Sequence, residues 1–140
     1  MTYTYQYPRP AVTVDAIIIS PKKSVLLIER DREPFKGQWA LPGGFIDMNE
    51  ELETACHREL EEEAGIRVGE LMQFKAYGAV NRDPRHRTIS VIFYAFTDEE
   101  LTAQAGDDAS KAQWFPIEQL PELAFDHQRI LEEFKAEVLK

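Results

Sequence analysis

Two runs near the start are dense in β-branched residues, Ala11 to Ser20 (AVTVDAIIIS) and Ser24 to Arg30 (SVLLIER), and the turn-prone Pro21-Lys22-Lys23 divides them. That pattern predicts two strands. A short apolar strand is expected over Phe35 to Phe45, ending in the Pro42-Gly43-Gly44 turn. The period then changes. Leu52, Cys56, Leu60 and Ala64 recur every four residues, the stripe of a helix with one face on a core. Asp47 or Asn49 is its expected cap, with Asp47 and Glu50 as a capping-box-like pair, and Gly65 its expected left-handed stop. Strands are expected again over Glu70 to Val80, Thr88 to Thr97 and Ala112 to Phe115. Ile130, Leu131, Phe134 and Val138 stand at helical spacing in the stretch Asp126 to Leu139. Strands flanked by two principal helices predict an α/β fold of three layers, α/β/α, in a single domain over 1–140 without internal repeats.

Composition narrows this. A chain of 140 residues, 44% hydrophobic and 29% charged, suits one soluble globular domain. The net charge of −9 argues against a nucleic-acid or anionic-membrane partner, which would need a basic surface. The single cysteine, Cys56, excludes an internal disulfide and suits a reducing cytoplasm; its place on the helix stripe makes it a core residue. The N-terminus has no signal-peptide pattern, and the apolar run at Ala16 to Ile19 is too short to span a bilayer.

The chemistry concentrates on the first helix. Glu59, Glu62 and Glu63 stand at i, i+3 and i+4 and so share one face. Like charges at that spacing cost an isolated helix a few tenths of a kcal/mol per pair. A hard divalent cation, Mg²⁺ or Mn²⁺, would relieve the repulsion, and would also let an acidic protein accept a phosphate ester. Around these glutamates Gly44, Glu50, Arg58, Glu59, Leu60, Glu62, Glu63, Gly65 and Ile66 spell G-x5-E-x7-R-E-L-x-E-E-x-G-I. The pattern resembles the Nudix box, the signature of the Nudix hydrolases, at every defined position. The resemblance implies an α/β/α sandwich round a mixed sheet and a loop-helix-loop that holds divalent metal over a pyrophosphate. It makes Glu59 and Glu63 metal ligands with Glu62 as a third, more variable one, and the Gly43 carbonyl a further ligand. Glu62 and Glu63 thereby become catalytic candidates. Glu50 and Arg58 are implied to be an internal ion pair with a structural role, and Gly44 and Gly65 structural glycines.

Nudix enzymes hydrolyse a nucleoside diphosphate linked to another moiety, with water attacking phosphorus. The resemblance implies a general base ahead of the last strand, where Asp98-Glu99-Glu100 and Gly106-Asp107-Asp108 stand; Asp107 or Asp108 is preferred, with an ordinary turn as the alternative. Further segments, 33–45, 83–91 and 123–131, resemble small Nudix proteins acting on ADP-ribose, which would give AMP and ribose 5-phosphate. One departure is that the proline marking that subgroup falls at Pro84, whereas Arg82 stands at the expected position. Arg82, Arg85, His86 and Arg87 form a basic cluster, either contacts for phosphate and ribose or a solvated hairpin loop. Phe35 and Trp39 offer stacking for a base, or core. Tyr3, Tyr5 and Tyr7 alternate as an edge strand does, one that would pair in a homodimer; a frayed tail is the alternative. The partner implied is thus a nucleotide-type small molecule. Because the box reads pyrophosphate and metal rather than base, a (deoxy)nucleoside triphosphate pool-sanitising pyrophosphatase is one rival. A non-catalytic ADP-ribose sensor is the other; the chain stops at Lys140, directly after the closing helix, which argues against an attached DNA-binding domain.

Overall fold

The computed structural model describes residues 2–106 and 109–139. Its strands are β1 (Ala11–Ile19), β2 (Ser24–Arg30), β3 (Trp39–Ala40), β4 (Gly43–Phe45), β5 (Met72–Tyr77), β6 (Thr88–Phe96) and β7 (Ala109–Pro116). Helix α1 (Leu52–Ala64) follows β4, and α2 (His127–Glu137) follows β7. The strands form a mixed sheet in the order β3-β2-β1-β6-β5, with β4 paired to β1 and β7 to β2. The parallel pair is β1 with β6, in register from Ala11↔Thr88 to Ile19↔Phe96.

Alternation along β1 and β2 explains the layers. Val14, Ala16, Ile18, Leu26 and Ile28 turn to one face and pack with Ala55, Cys56, Leu60 and Ala64 of α1. Ile17, Ile19, Val25 and Leu27 turn to the other and pack with Ile130, Leu131 and Phe134 of α2. A two-residue period feeds two cores at once, so these strands are apolar on both faces. Each fully buried Ile, Leu or Phe contributes about 1.5–3 kcal/mol of transfer free energy. The expected α/β/α sandwich round a mixed sheet is what forms.

Local departures have physical causes. The 35–45 segment is two short strands. Phe35 (φ 64°) and Gly37 (φ 87°) turn the chain before it, and Leu41-Pro42 moves it from β2 to β1. Neither Asp47 nor Asn49 caps α1. The N-cap is Glu51, without a side-chain cap bond. The Asp47 N–H donates to Glu50 Oε1 at 2.9 Å, as the expected pair requires, but Arg58 also holds that carboxylate, so the turn closes ahead of the helix. Gly65 ends α1 at φ 65° and donates its N–H to Glu61 O at 2.9 Å. The 70–80 strand is shorter than expected. It is bulged between Gln73 and Ala76 and stops at Tyr77, after which the Arg87 guanidinium bonds the Gly78 carbonyl. The last strand is longer, because β2 templates it from Ser24↔Pro116 to Arg30↔Ala109 despite its weak β-propensity. Tyr3, Tyr5 and Tyr7 lie in no strand and are exposed. Among the described residues no helix is long and apolar enough to cross a membrane.

Candidate active site

The polar end of β1 and β6 opens a cavity of about 400 Å³ between the β4–α1 segment and the N-terminus of α2. On the sheet face that carries Ile17 and Ile19 under α2, positions 13 and 15 of β1 are Thr13 and Asp15, and Thr13 registers with Ser90 of β6. One strand face is thus apolar where the helix covers it and polar where it lines the cavity.

The glutamates approach from α1. Glu63 is buried, and its Oε1 accepts the Gly43 N–H at 2.7 Å. Since N–H and C=O of one strand residue point to the same side, the Gly43 carbonyl also faces the helix. The Glu59 carboxylate lies directly over Gly44. Both carboxylates line the cavity, whereas Glu62 is exposed at the rim and bonds Arg58 at 3.1 Å. Arg58 is the brace: it bonds Glu50 twice at 2.8 Å, Glu59 at 2.8 Å and the Phe45 carbonyl at 3.1 Å. The Arg58 guanidinium, helped by the Asp47 N–H, holds the Glu50 carboxyl down at about 2. Burial pushes Glu59 up, with Arg58 opposing.

Among the described residues no three His, Cys, Asp or Glu side chains converge on one point. Glu63 is tied to Gly43 and Glu59 to Arg58. The donor set nevertheless fits Mg²⁺ or Mn²⁺. Two hard carboxylates with a carbonyl is the kind of sparse protein set that Mg²⁺ takes, the remaining positions going to water and substrate phosphate. Gly44 keeps clear the space into which a β-carbon would push against Glu59.

The opposite wall was not anticipated from sequence. Burial pushes Asp15 up to about 7; Arg82 and Ser90 oppose this, while Asp126 and Glu59 add to it. A lone Asp inside the apolar run of β1 was the available signal. His127, buried at the start of α2, accepts the Leu41 N–H on Nδ1 at 3.0 Å, and burial lowers its pKa to about 4. In the sequence it stood only inside the 123–131 segment, with no role of its own.

The basic cluster is divided. The Arg82 side chain, 4% exposed, forms a two-pronged pair with Asp126 at 2.7 and 2.9 Å and donates to Ser90 at 2.6 Å. Arg85 pairs with Asp83 at 2.8 Å and lies over the rings of Phe45 (5.4 Å) and Phe125 (5.5 Å). Both arginines line the cavity, as do Arg30 and Arg32. His86 is exposed, bonded to Thr88 at 3.0 Å and outside the lining. Phe35 is also outside the lining; it packs edge-on to Phe125 at 4.8 Å. Trp39 packs on Phe115 in the second core. Asp107 and Asp108 lie outside the described residues. The loop leading to them is anchored on α1, where Gln104 N–H donates to Ala64 O at 2.8 Å and Gly106 N–H to Glu63 O at 3.2 Å.

Comparison with known proteins agrees with this geometry. The NUDIX domain model matches residues 9–134. An ADP-ribose pyrophosphatase of Methanocaldococcus jannaschii is 43% identical over 129 residues, covering 91% of this chain and 75% of that one. The Nudix domain of Shewanella oneidensis NrtR, solved with ADP ribose, superposes with TM-score 0.88 at 30% identity, over 94% of this chain and 90% of that one. A bifunctional NMN adenylyltransferase/ADP ribose pyrophosphatase of Francisella tularensis, solved with AMP and a Mn ion, gives TM-score 0.83 at 29% identity, over 95% of this chain and 43% of that one. With the box helix, its glycine turn and the cavity they border all present in one mixed-sheet domain, the chain belongs to the Nudix family of hydrolases.

Proposed function

We propose that the chain is a metal-dependent pyrophosphohydrolase that cleaves ADP-ribose to AMP and ribose 5-phosphate. The observation that carries this is the convergence of Glu59, Glu63 and the Gly43 backbone on one edge of the cavity, in a chain 43% identical to an ADP-ribose pyrophosphatase. Bound Mg²⁺ or Mn²⁺ would neutralise the bridging phosphates and acidify the attacking water. Glu59, Glu63 and the Gly43 carbonyl would hold it, with Glu62 joining from the rim. Arg58 and Glu50 fix the loop and helix so that these donors keep their spacing. Asp108, or its neighbour Asp107, takes the proton from water. Arg85 and the Phe45 and Phe125 rings supply a cationic, aromatic flank for the nucleotide. A cytoplasmic location is supported by the lone, buried cysteine.

The test is hydrolysis of ADP-ribose beside dinucleotides and nucleoside triphosphates, each with Mg²⁺ or Mn²⁺, and with Glu63→Gln as the blank. Preference for ADP-ribose by kcat/KM supports the assignment. Preference for triphosphates replaces the substrate and leaves the box chemistry standing. Tight binding of ADP-ribose without metal-dependent turnover would favour the sensor.

A further inference from the structure

We propose that His127 contacts substrate directly, donating its Nε2–H to an oxygen of the sugar that follows the diphosphate. The inference rests on the proposed function for the identity of that sugar, and on geometry for the donor.

An imidazole that accepts a hydrogen bond on Nδ1 carries its proton on Nε2. The Leu41 N–H, 3.0 Å from Nδ1, imposes that tautomer. His127 borders the cavity. Its Nδ1 bond to Leu41 is its one side-chain hydrogen bond within the described residues, where no buried side-chain nitrogen or oxygen lacks a partner. The Nε2–H is therefore not sealed in the protein but opens on the cavity. Burial keeps the ring neutral, so it offers one directed donor rather than a charge.

The surroundings favour a neutral, hydroxylated group. Of the two cations that act on the ring, Arg82 is already matched by Asp126 and donates to Ser90, and Arg30 donates to the Pro34 carbonyl at 2.7 Å, so each already has a protein partner. The Thr13 and Ser90 hydroxyls bond each other across the β1–β6 pair. Hydroxyls, a carboxyl and a neutral N–H form the mixed donor–acceptor lining that a pentose diol requires. The position also suits a sugar. Leu41, which aims the ring, stands two residues from Gly43, so the donor and the Gly43 turn border the same cavity.

His127→Asn separates this role from packing, because its Oδ1 falls where Nδ1 was and can still accept from Leu41 while the Nε2–H is lost. Wild type and variant are compared on ADP-ribose and on an ADP ester whose distal group is a plain alkyl chain, with melting temperatures measured alongside. The expected result is a preference for ADP-ribose, by kcat/KM, that falls about three- to tenfold in the variant. Turnover of the alkyl ester should stay unchanged. An unchanged preference, or an equal loss on both substrates, overturns the proposal. If wild type hydrolyses triphosphates and leaves ADP-ribose intact, the proposed function fails separately. The same pair of enzymes is then read on ATP against its 2′,3′-dideoxy counterpart, where a retained sugar preference in the variant overturns the role of His127.

Discussion

The Glu59 carboxylate fills the space over Gly44: a β-carbon there would fall 2.7 Å from its Cδ and from both of its oxygens. The end of a long side chain can swing aside, so Gly44→Ala should leave the fold standing while displacing the Glu59 carboxylate. Gly43 is different. A β-carbon on it would come within 2.1 Å of the Val14 carbonyl oxygen and 2.3 Å of Asp15 Oδ1. Backbone cannot swing, and Gly43→Ala should force β4 off β1 and cost several kcal/mol, as overpacking of a tight site does. Thermal melts beside rate measurements separate the two, with Gly44→Ala folded and slow and Gly43→Ala unstable.

Glu63→Gln keeps an oxygen able to accept the Gly43 N–H and removes only the charge. Activity should fall at least 10–100-fold, the range seen when metal sites lose supporting groups. The melting temperature without metal should stay within a few degrees. Wild-type turnover by this variant would remove Glu63 from the metal site.

Glu50 carries a pH signature. Its carboxyl ionises near 2 rather than 4.5, so the Arg58 bond contributes stability that is complete above pH 4.5 and lost as pH falls towards 2. Glu50→Gln should lower the melting temperature by roughly 3–5 °C at pH 7. The gap from wild type should close in acid. A gap independent of pH would show that the bond's charge contributes nothing.

Asp15 and His127 oppose each other. Asp15 titrates near 7 in the fold against 3.8 ordinarily, so its contribution is present below 3.8 and lost as pH rises to 7. His127 titrates near 4 against 6.5, so its contribution is present above 6.5 and lost as pH falls to 4. Between pH 4 and 6.5 the two slopes largely cancel. Asp15→Asn should therefore unmask stability that rises with pH across that window, and His127→Asn stability that falls. Each slope has a ceiling of about 1.4 kcal/mol per pH unit. Urea titrations of the metal-free protein at half-unit intervals would read both.

Cys56 is buried, and burial pushes its thiol far above the usual range, with the nearby Asp15, Glu59 and Glu53 carboxylates acting in the same direction. It should resist alkylation in the native protein and react at the rate of unfolding. Prompt labelling would mean that α1 opens locally.

The Glu59–Glu63 side of the cavity was legible because it is local. The box occupies Gly44 to Ile66, and helix period alone brings Glu59 and Glu63 to one face. The two cores were legible for the same reason, from alternation in β1 and β2 and the stripe in each helix. The other wall is assembled from β1, β6 and the start of α2, and no short-range pattern joins Asp15, Ser90 and His127. Arg82 shows the difference. Sequence sees it beside Arg85 and Arg87, a cluster free to meet phosphate, yet Asp126, 44 residues away, already holds it. The same Asp126 stands at the α2 N-cap and makes no side-chain cap bond there. Long-range charge pairing outweighed local capping at α2, and the Glu50–Arg58 bond did so at α1.

The clasp between α2 and the rest of the site has a temporal side. During synthesis the glycine turn, Glu59, Glu63 and Arg82 leave the ribosome well before Asp126 and His127. Until those two arrive, Arg82 lacks the Asp126 carboxylate that clasps it, and the Leu41 N–H has no acceptor. A buried cation without its partner costs several kcal/mol. The nascent chain must therefore keep that wall open to water until nearly all of these residues have emerged, and the cavity closes in one late step.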